Sequence, residues 1–253
     1  MGAPPRGEGA HAFAIADRRV SERVQHFPES VIREMTRLAN RHGAINLSQG
    51  FPDFDPPREI LTAAQRALRE GYNQYATTWG AEEFRRAVAE SVLRFRGLAV
   101  DPDAHIVVTC GATEAMMVAM LSLINPGEQV VVPEPFYENY GPDAIVSGAR
   151  LVLVPMEWPS YRLDEEALKG AFRRETKAII LNTPNNPTGR VFDGEDLRLV
   201  ADLCTDHEVV CVTDEIYEHI VYDDHRHVSL ATLGDMWERT VTISGLSKTF
   251  SVT

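Results

Sequence analysis

The sequence predicts an α/β fold, a three-layer α/β/α arrangement with a mostly parallel sheet at its centre. Three observations predict it. From His105 onward, short apolar runs alternate with stretches of helical length and period. Those runs are separated by clusters of Gly, Pro, Asn and Asp that turn the chain. The 253-residue chain is 44% apolar, enough to bury a core.

The elements follow in order. Residues 1–28 read as a lead-in, its first part rich in Gly, Pro and Ala. Residues 29–97 read as a helical segment of a small domain and interface, with helices expected at Glu29 to His42, Arg58 to Glu70 and Ala81 to Arg96. Gly43 and Gly71 are the expected helix stops. Residues 98–253 read as the large domain. Its strands are expected at His105 to Thr109, Gln129 to Pro133, Arg150 to Val154, Thr176 to Asn182, Val209 to Asp214 and Thr240 to Ser244. Helices are expected at Thr113 to Ile124, Tyr137 to Ser147, Asp164 to Phe172 and Asp193 to His207.

Composition narrows the partners. A formal net charge of -12 and a pI near 5.1 argue against nucleic acid or an anionic membrane surface, both of which need clustered positive charge. No apolar run reaches the roughly 18 to 20 residues of a membrane span. Three irregularly spaced cysteines form neither a disulfide framework nor a zinc spacing, so a reducing cytoplasm and no metal are expected.

In wound sheets ligands bind beyond the carboxyl ends of the strands. Five strand ends carry chemistry here. Gly111, Ala112 and Thr113 open a helix and offer backbone N–H groups and a hydroxyl to an anion. Phe136 places a ring where a flat ligand could stack. Asn185-Asn186-Pro187 turns carboxamides toward the crevice. Asp214 and Tyr217 bring a carboxylate and a phenol within one turn, and Ser247-Lys248 supplies a hydroxyl and an amine. Each has an ordinary alternative: helix cap, core ring, polar loop, turn cap, surface amine. Their coincidence matches the needs of pyridoxal phosphate, which takes an amine for a Schiff base, a carboxylate at its ring nitrogen and N–H donors for its phosphate.

On these motifs the chain resembles the class I/II aminotransferases of the fold-type I pyridoxal-phosphate enzymes, from about residue 27 onward. The resemblance implies that Lys248 carries the cofactor as the internal aldimine and later shuttles a proton, and that Asp214 pairs with the pyridine nitrogen. It implies that Tyr217 and Asn186 bond the phenolic oxygen, that Asn186 and Gly50 serve the substrate carboxylate, and that Phe136 stacks. Gly111, Ala112, Thr113 and Ser247 match the phosphate site, and Tyr75 looks like the tyrosine that reaches the neighbouring subunit's phosphate in a homodimer. The pairing of Asn46 to Phe54 with Asn73-Gln74-Tyr75 looks like the kynurenine, glutamine and methionine aminotransferase branch.

The expected activity is transfer of an amino group from an L-amino acid to a 2-oxo acid by ping-pong chemistry. A carbon–sulfur β-lyase on the same scaffold and a non-catalytic ligand-binding module are the alternatives. Two departures stand out. Gly245 occupies a place where many members have a phosphate-binding Ser, with Ser244 beside it. The chain also stops at Thr253, before the strand, the phosphate arginine and the small domain that the resemblance implies, so it reads as an inactive fragment of a longer protein. That missing strand would insert between residues 105–109 and 240–244, leaving those two unpaired with each other.

Overall fold

The computed structural model describes residues 21–27, 29–50 and 52–252. The chain divides into two compact units, one ending at Gly50 and the other beginning at Phe51. In the first, a short 3-10 turn (Glu22–His26) precedes helix α1 (Val31–His42), which begins two residues later than expected because Ser30 caps it by accepting from the Arg33 N–H. Gly43, in the left-handed region at φ 59°, closes it. Asn46 donates to the Thr36 hydroxyl, which itself donates to Gln49, folding the following loop onto the helix.

The second unit opens with helices α2 (Arg58–Arg69) and α3 (Glu82–Arg96). Helix α4 (Gly111–Leu123) then leads into the sheet, whose five strands are β1 (Gln129–Glu134), β2 (Arg150–Pro155), β3 (Thr176–Asn182), β4 (Val210–Asp214) and β5 (Thr240–Ile243). They lie in the order β2-β1-β3-β4-β5, and all four pairings are parallel. Helices α5 (Tyr140–Ser147), α6 (Glu165–Ala171) and α7 (Gly194–Asp206) join the first four strands. Asp164 caps α6, and Asp193 with Asp196 forms a capping box on α7.

Strand alternation divides the core between the two faces. Val130, Val132, Ala178, Ile180 and Val212 pack with Met116, Met120 and Ala144 of α4 and α5. Their neighbours Val131, Ile179, Leu181 and Cys211 pack with Leu168, Leu197, Val200 and Leu203 of α6 and α7. Strands covered on both faces must be apolar at successive positions, which is the pattern of Val130 to Val132 and Ala178 to Leu181. The chain leaves β1 toward β2 in one direction and β3 toward β4 in the other, so the switch point falls between β1 and β3.

Two expectations need correction. The strand expected at His105 to Thr109 is not formed: the Val108 N–H donates to the Trp79 carbonyl and the Thr109 carbonyl accepts from the Gly111 N–H, and among the described residues the 106–109 segment has no ladder partner. Apolar, β-branched composition favours an extended chain, but a strand exists only where a neighbour supplies the other half of the ladder. Among the described residues strand β5 accordingly pairs with β4 alone. Helix α5 starts at Tyr140 rather than Tyr137, because residues 137–139 are spent turning the chain out of β1. No helix among the described residues is long and apolar enough to cross a membrane.

Candidate functional site

The crevice is built from the segments that follow β1, β3, β4 and β5. Asp214 ends β4 with its residue surface 7% exposed. One carboxylate oxygen accepts from the Tyr140 hydroxyl at 2.8 Å, the other from the Ile216 N–H at 3.2 Å. Burial drives the carboxyl's proton affinity up; the Tyr140 and Ile216 bonds and the Lys248 charge oppose this, yet the pKa stays above the usual aspartate value. A carboxylate so placed has strong affinity for a further cation or acidic N–H.

Tyr217 lies one turn further on, half-buried. Its hydroxyl accepts from the Asn186 amide at 3.3 Å, and the Lys248 Nζ sits 5.8 Å from its ring centroid. Burial raises the Tyr217 pKa, the Asn186 bond works against it, and the nearby Asp214 charge adds to it. Asn186 is itself anchored: its N–H donates to Asn182 Oδ1 at 2.6 Å, and the Asn182 amide donates to the Asp214 carbonyl at 2.9 Å. Phe136 is stacked on Tyr140 with ring centroids 6.2 Å apart and planes 12° from parallel. The structure thus brings Asp214, Tyr217, Asn186 and Lys248 together, with Phe136 joined through Tyr140.

Gly111, Ala112 and Thr113 form the first turn of α4, where Gly111 takes φ 76° and Thr113 is exposed. That backbone conformation suits glycine, and the helix packs on β4 and β5. Ser247 and Lys248 lie half-buried in the turn after β5. Tyr75 is fully exposed at 102%. Gly50 belongs to the first unit and is exposed.

A side chain at Gly245 would meet Ile216. A Cβ at this position would stand 3.0 Å from Ile216 Cδ1, so a serine there requires Ile216 to yield. Ser244 is committed elsewhere, donating to Glu218 Oε1 at 2.7 Å.

Sequence reasoning missed three contributors. Tyr140 lies four residues after Phe136 and opens α5, and no local sequence pattern ties its hydroxyl to Asp214. Asn182 is a polar end to an apolar strand, a signal of a committed carboxamide. Glu215, wholly buried beside Asp214, holds His227 Nε2 at 3.0 Å, the Ser229 hydroxyl at 2.9 Å and Arg96 at 3.3 Å. Burial would raise its pKa, but these partners outweigh it and hold the carboxyl below the ordinary glutamate value. Glu215, Glu218 and His227 bring ligand atoms within 4.8 Å of one another, the spacing of a metal site. The Arg96 guanidinium lies against both carboxylates and already supplies the cation.

Comparison with known proteins agrees with this architecture. A probable N-succinyldiaminopimelate aminotransferase, DapC, of Mycobacterium tuberculosis is 43% identical over 233 residues, covering 91% of this chain and 59% of that protein. Human kynurenine–oxoglutarate transaminase 1 is 41% identical over 233 residues, covering 87% of this chain and 55% of that protein. The solved structure of N-succinyldiaminopimelate aminotransferase from M. tuberculosis matches with a TM-score of 0.88 at 42% identity, over 91% of this chain and 61% of that one. The chain therefore spans between 55% and 61% of the length of these relatives. The sequence profile of the family described as aminotransferase class I and II matches residues 42–253, through every strand and every crevice loop, and the chain belongs to that family.

Proposed function

We propose that the whole protein is a pyridoxal-phosphate-dependent aminotransferase that moves the amino group of an L-amino acid to a 2-oxo acid in two half-reactions at one site. The observation that carries this reading is Asp214, a buried carboxylate of raised proton affinity set in one crevice with Lys248, Tyr217 and Asn186. The donor set fits the cofactor of this family. When bound, pyridoxal phosphate supplies a carbonyl that condenses with amines and a ring that accepts electrons.

This chain's residues do the rest. Asp214 holds the proton on the ring nitrogen, and that cation reverses the effect of burial on its carboxyl. Tyr217 and Asn186 would bond the phenolic oxygen, and Asn186 would also serve the substrate carboxylate. Phe136 covers a ring face. The N–H groups of Gly111, Ala112 and Thr113, with the Ser247 hydroxyl, receive the phosphate. Lys248 would hold the cofactor through its amine and would move the proton at the substrate Cα. Tyr75, exposed in one chain, serves the phosphate of a second copy in a homodimer. The free cysteines Cys110, Cys204 and Cys211 fit a reducing cytoplasm. The two relatives are named for different compounds, N-succinyldiaminopimelate and kynurenine, so the donor is proposed only as an L-amino acid.

Borohydride reduction of the loaded intact protein followed by peptide mapping tests the assignment. The label is expected on Lys248; a label on Lys169 or Lys177 refutes it.

A further inference from the structure

The turn after β4 faces two ways. Asp214 and Tyr217 meet Tyr140, Asn186 and Lys248, whereas Glu215 and Glu218 meet Arg96, the last residue of α3. The Arg96 Nε and one terminal nitrogen donate to Glu218 Oε2 at 3.0 and 2.7 Å. The other oxygen of Glu218 accepts from Ser244, the first residue beyond β5, at 2.7 Å. The Arg96, Glu218 and Glu215 side chains are 11%, 14% and 0% exposed. Phe95 packs edge-on against His219 with ring centroids 4.8 Å apart, docking the end of α3 on the same turn.

Buried ion pairs contribute little net stability relative to apolar residues of the same volume, because desolvation offsets their attraction. What they do supply is directional constraint. One residue here joins three elements: the Glu218 Oε2 is tied to α3, its Oε1 to the root of the Lys248 turn, and its backbone N–H donates to the Glu215 carbonyl at 2.9 Å, within the turn that carries Tyr217.

We propose that Glu218, clamped between Arg96 and Ser244, is a positioning residue that sets where Lys248 stands relative to Tyr217 and Asp214. The proposal rests on the reading of Lys248 as the cofactor-bearing amine. Glu218 touches no reacting atom; it acts through the two segments it joins. If Ser244 is released, the start of the Lys248 turn loses its tie to the turn that carries Tyr217, and the separation of the amine from the phenol ring is held less firmly.

Two readouts on the intact protein test this, with Ser244→Ala, Glu218→Ala, Ser244→Thr and the exposed control Asp223→Asn. In the cofactor-free protein, amide exchange of residues 246–250 should accelerate about tenfold in Ser244→Ala and Glu218→Ala, the scale of one charge-assisted hydrogen bond. In the loaded protein, the pH midpoint of the cofactor's visible absorbance change should move by about 0.5 to 1 pH unit in the same two variants, because the amine's surroundings change. Ser244→Thr, which keeps the hydroxyl, should restore both readouts, and Asp223→Asn should move neither. Ser244→Ala removes a single oxygen and covers the case in which Glu218→Ala fails to fold. Wild-type values of both readouts in Ser244→Ala overturn the proposal. So does faster exchange with an unmoved midpoint, since the link then serves folding alone. A wild-type protein that never attaches cofactor at Lys248 defeats the proposed function instead, and the exchange measurement still judges the clamp.

Discussion

Replacing Asp143 by asparagine should change how stability depends on pH. Asp143 sits in the first turn of α5, 1% exposed, and neither carboxylate oxygen has a hydrogen-bond partner among the described residues. Burial pushes its pKa from the ordinary 3.8 up to about 6. The unfolded chain releases this proton near the ordinary value, while the folded chain keeps it to about pH 6. Between these limits the folded state binds more protons, so stability falls as pH rises and the full penalty applies above pH 6. Two pH units of difference correspond to roughly 3 kcal/mol, a large share of a typical domain stability of about 5 to 15 kcal/mol.

Asparagine fills the same space and does not ionise. Its unpaired amide carries a burial cost of about 1 to 3 kcal/mol, but that cost is the same at every pH. The stability of Asp143→Asn minus that of the wild type should therefore climb by up to about 3 kcal/mol between pH 4 and pH 7. Urea unfolding of both proteins at each pH measures it. A difference constant to within about 0.5 kcal/mol across that range refutes the reasoning, because it means that Asp143 ionises alike in both states.

Two further outcomes are expected. Tyr140→Phe keeps a ring against Phe136 but removes the hydroxyl that supports ionised Asp214, so cofactor affinity should fall roughly 10- to 100-fold, the range of a hydrogen bond to a charged group; an unchanged dissociation constant in a fluorescence titration reduces Tyr140 to packing. Mixing Tyr75→Phe with Lys248→Ala subunits should recover activity in hybrid dimers, because one composite site then escapes both changes; none recovered after proven exchange counts against sharing across subunits.

Much of this protein was legible in one dimension. Apolar runs such as Val130 to Val132 and Ala178 to Leu181 declare strands covered on both faces, and Asp164 and Asp193 mark helix starts by a hydrogen bond that spans only three residues. Asp214, Tyr217, Asn186 and Lys248 were legible for a related reason: polar groups just beyond apolar strands violate the core pattern and must face a crevice. Tertiary structure decided the rest. Residues 106–109 have strand composition without a ladder, because pairing belongs to two segments and composition to one. The bond from Tyr140 to Asp214 joins residues 74 apart, and that from Arg96 to Glu218 joins residues 122 apart. Local sequence sets backbone preference and burial period over a few residues, whereas the choice among distant polar partners is made only when the sheet and its helices bring them within about 3 Å, where a hydrogen bond can form.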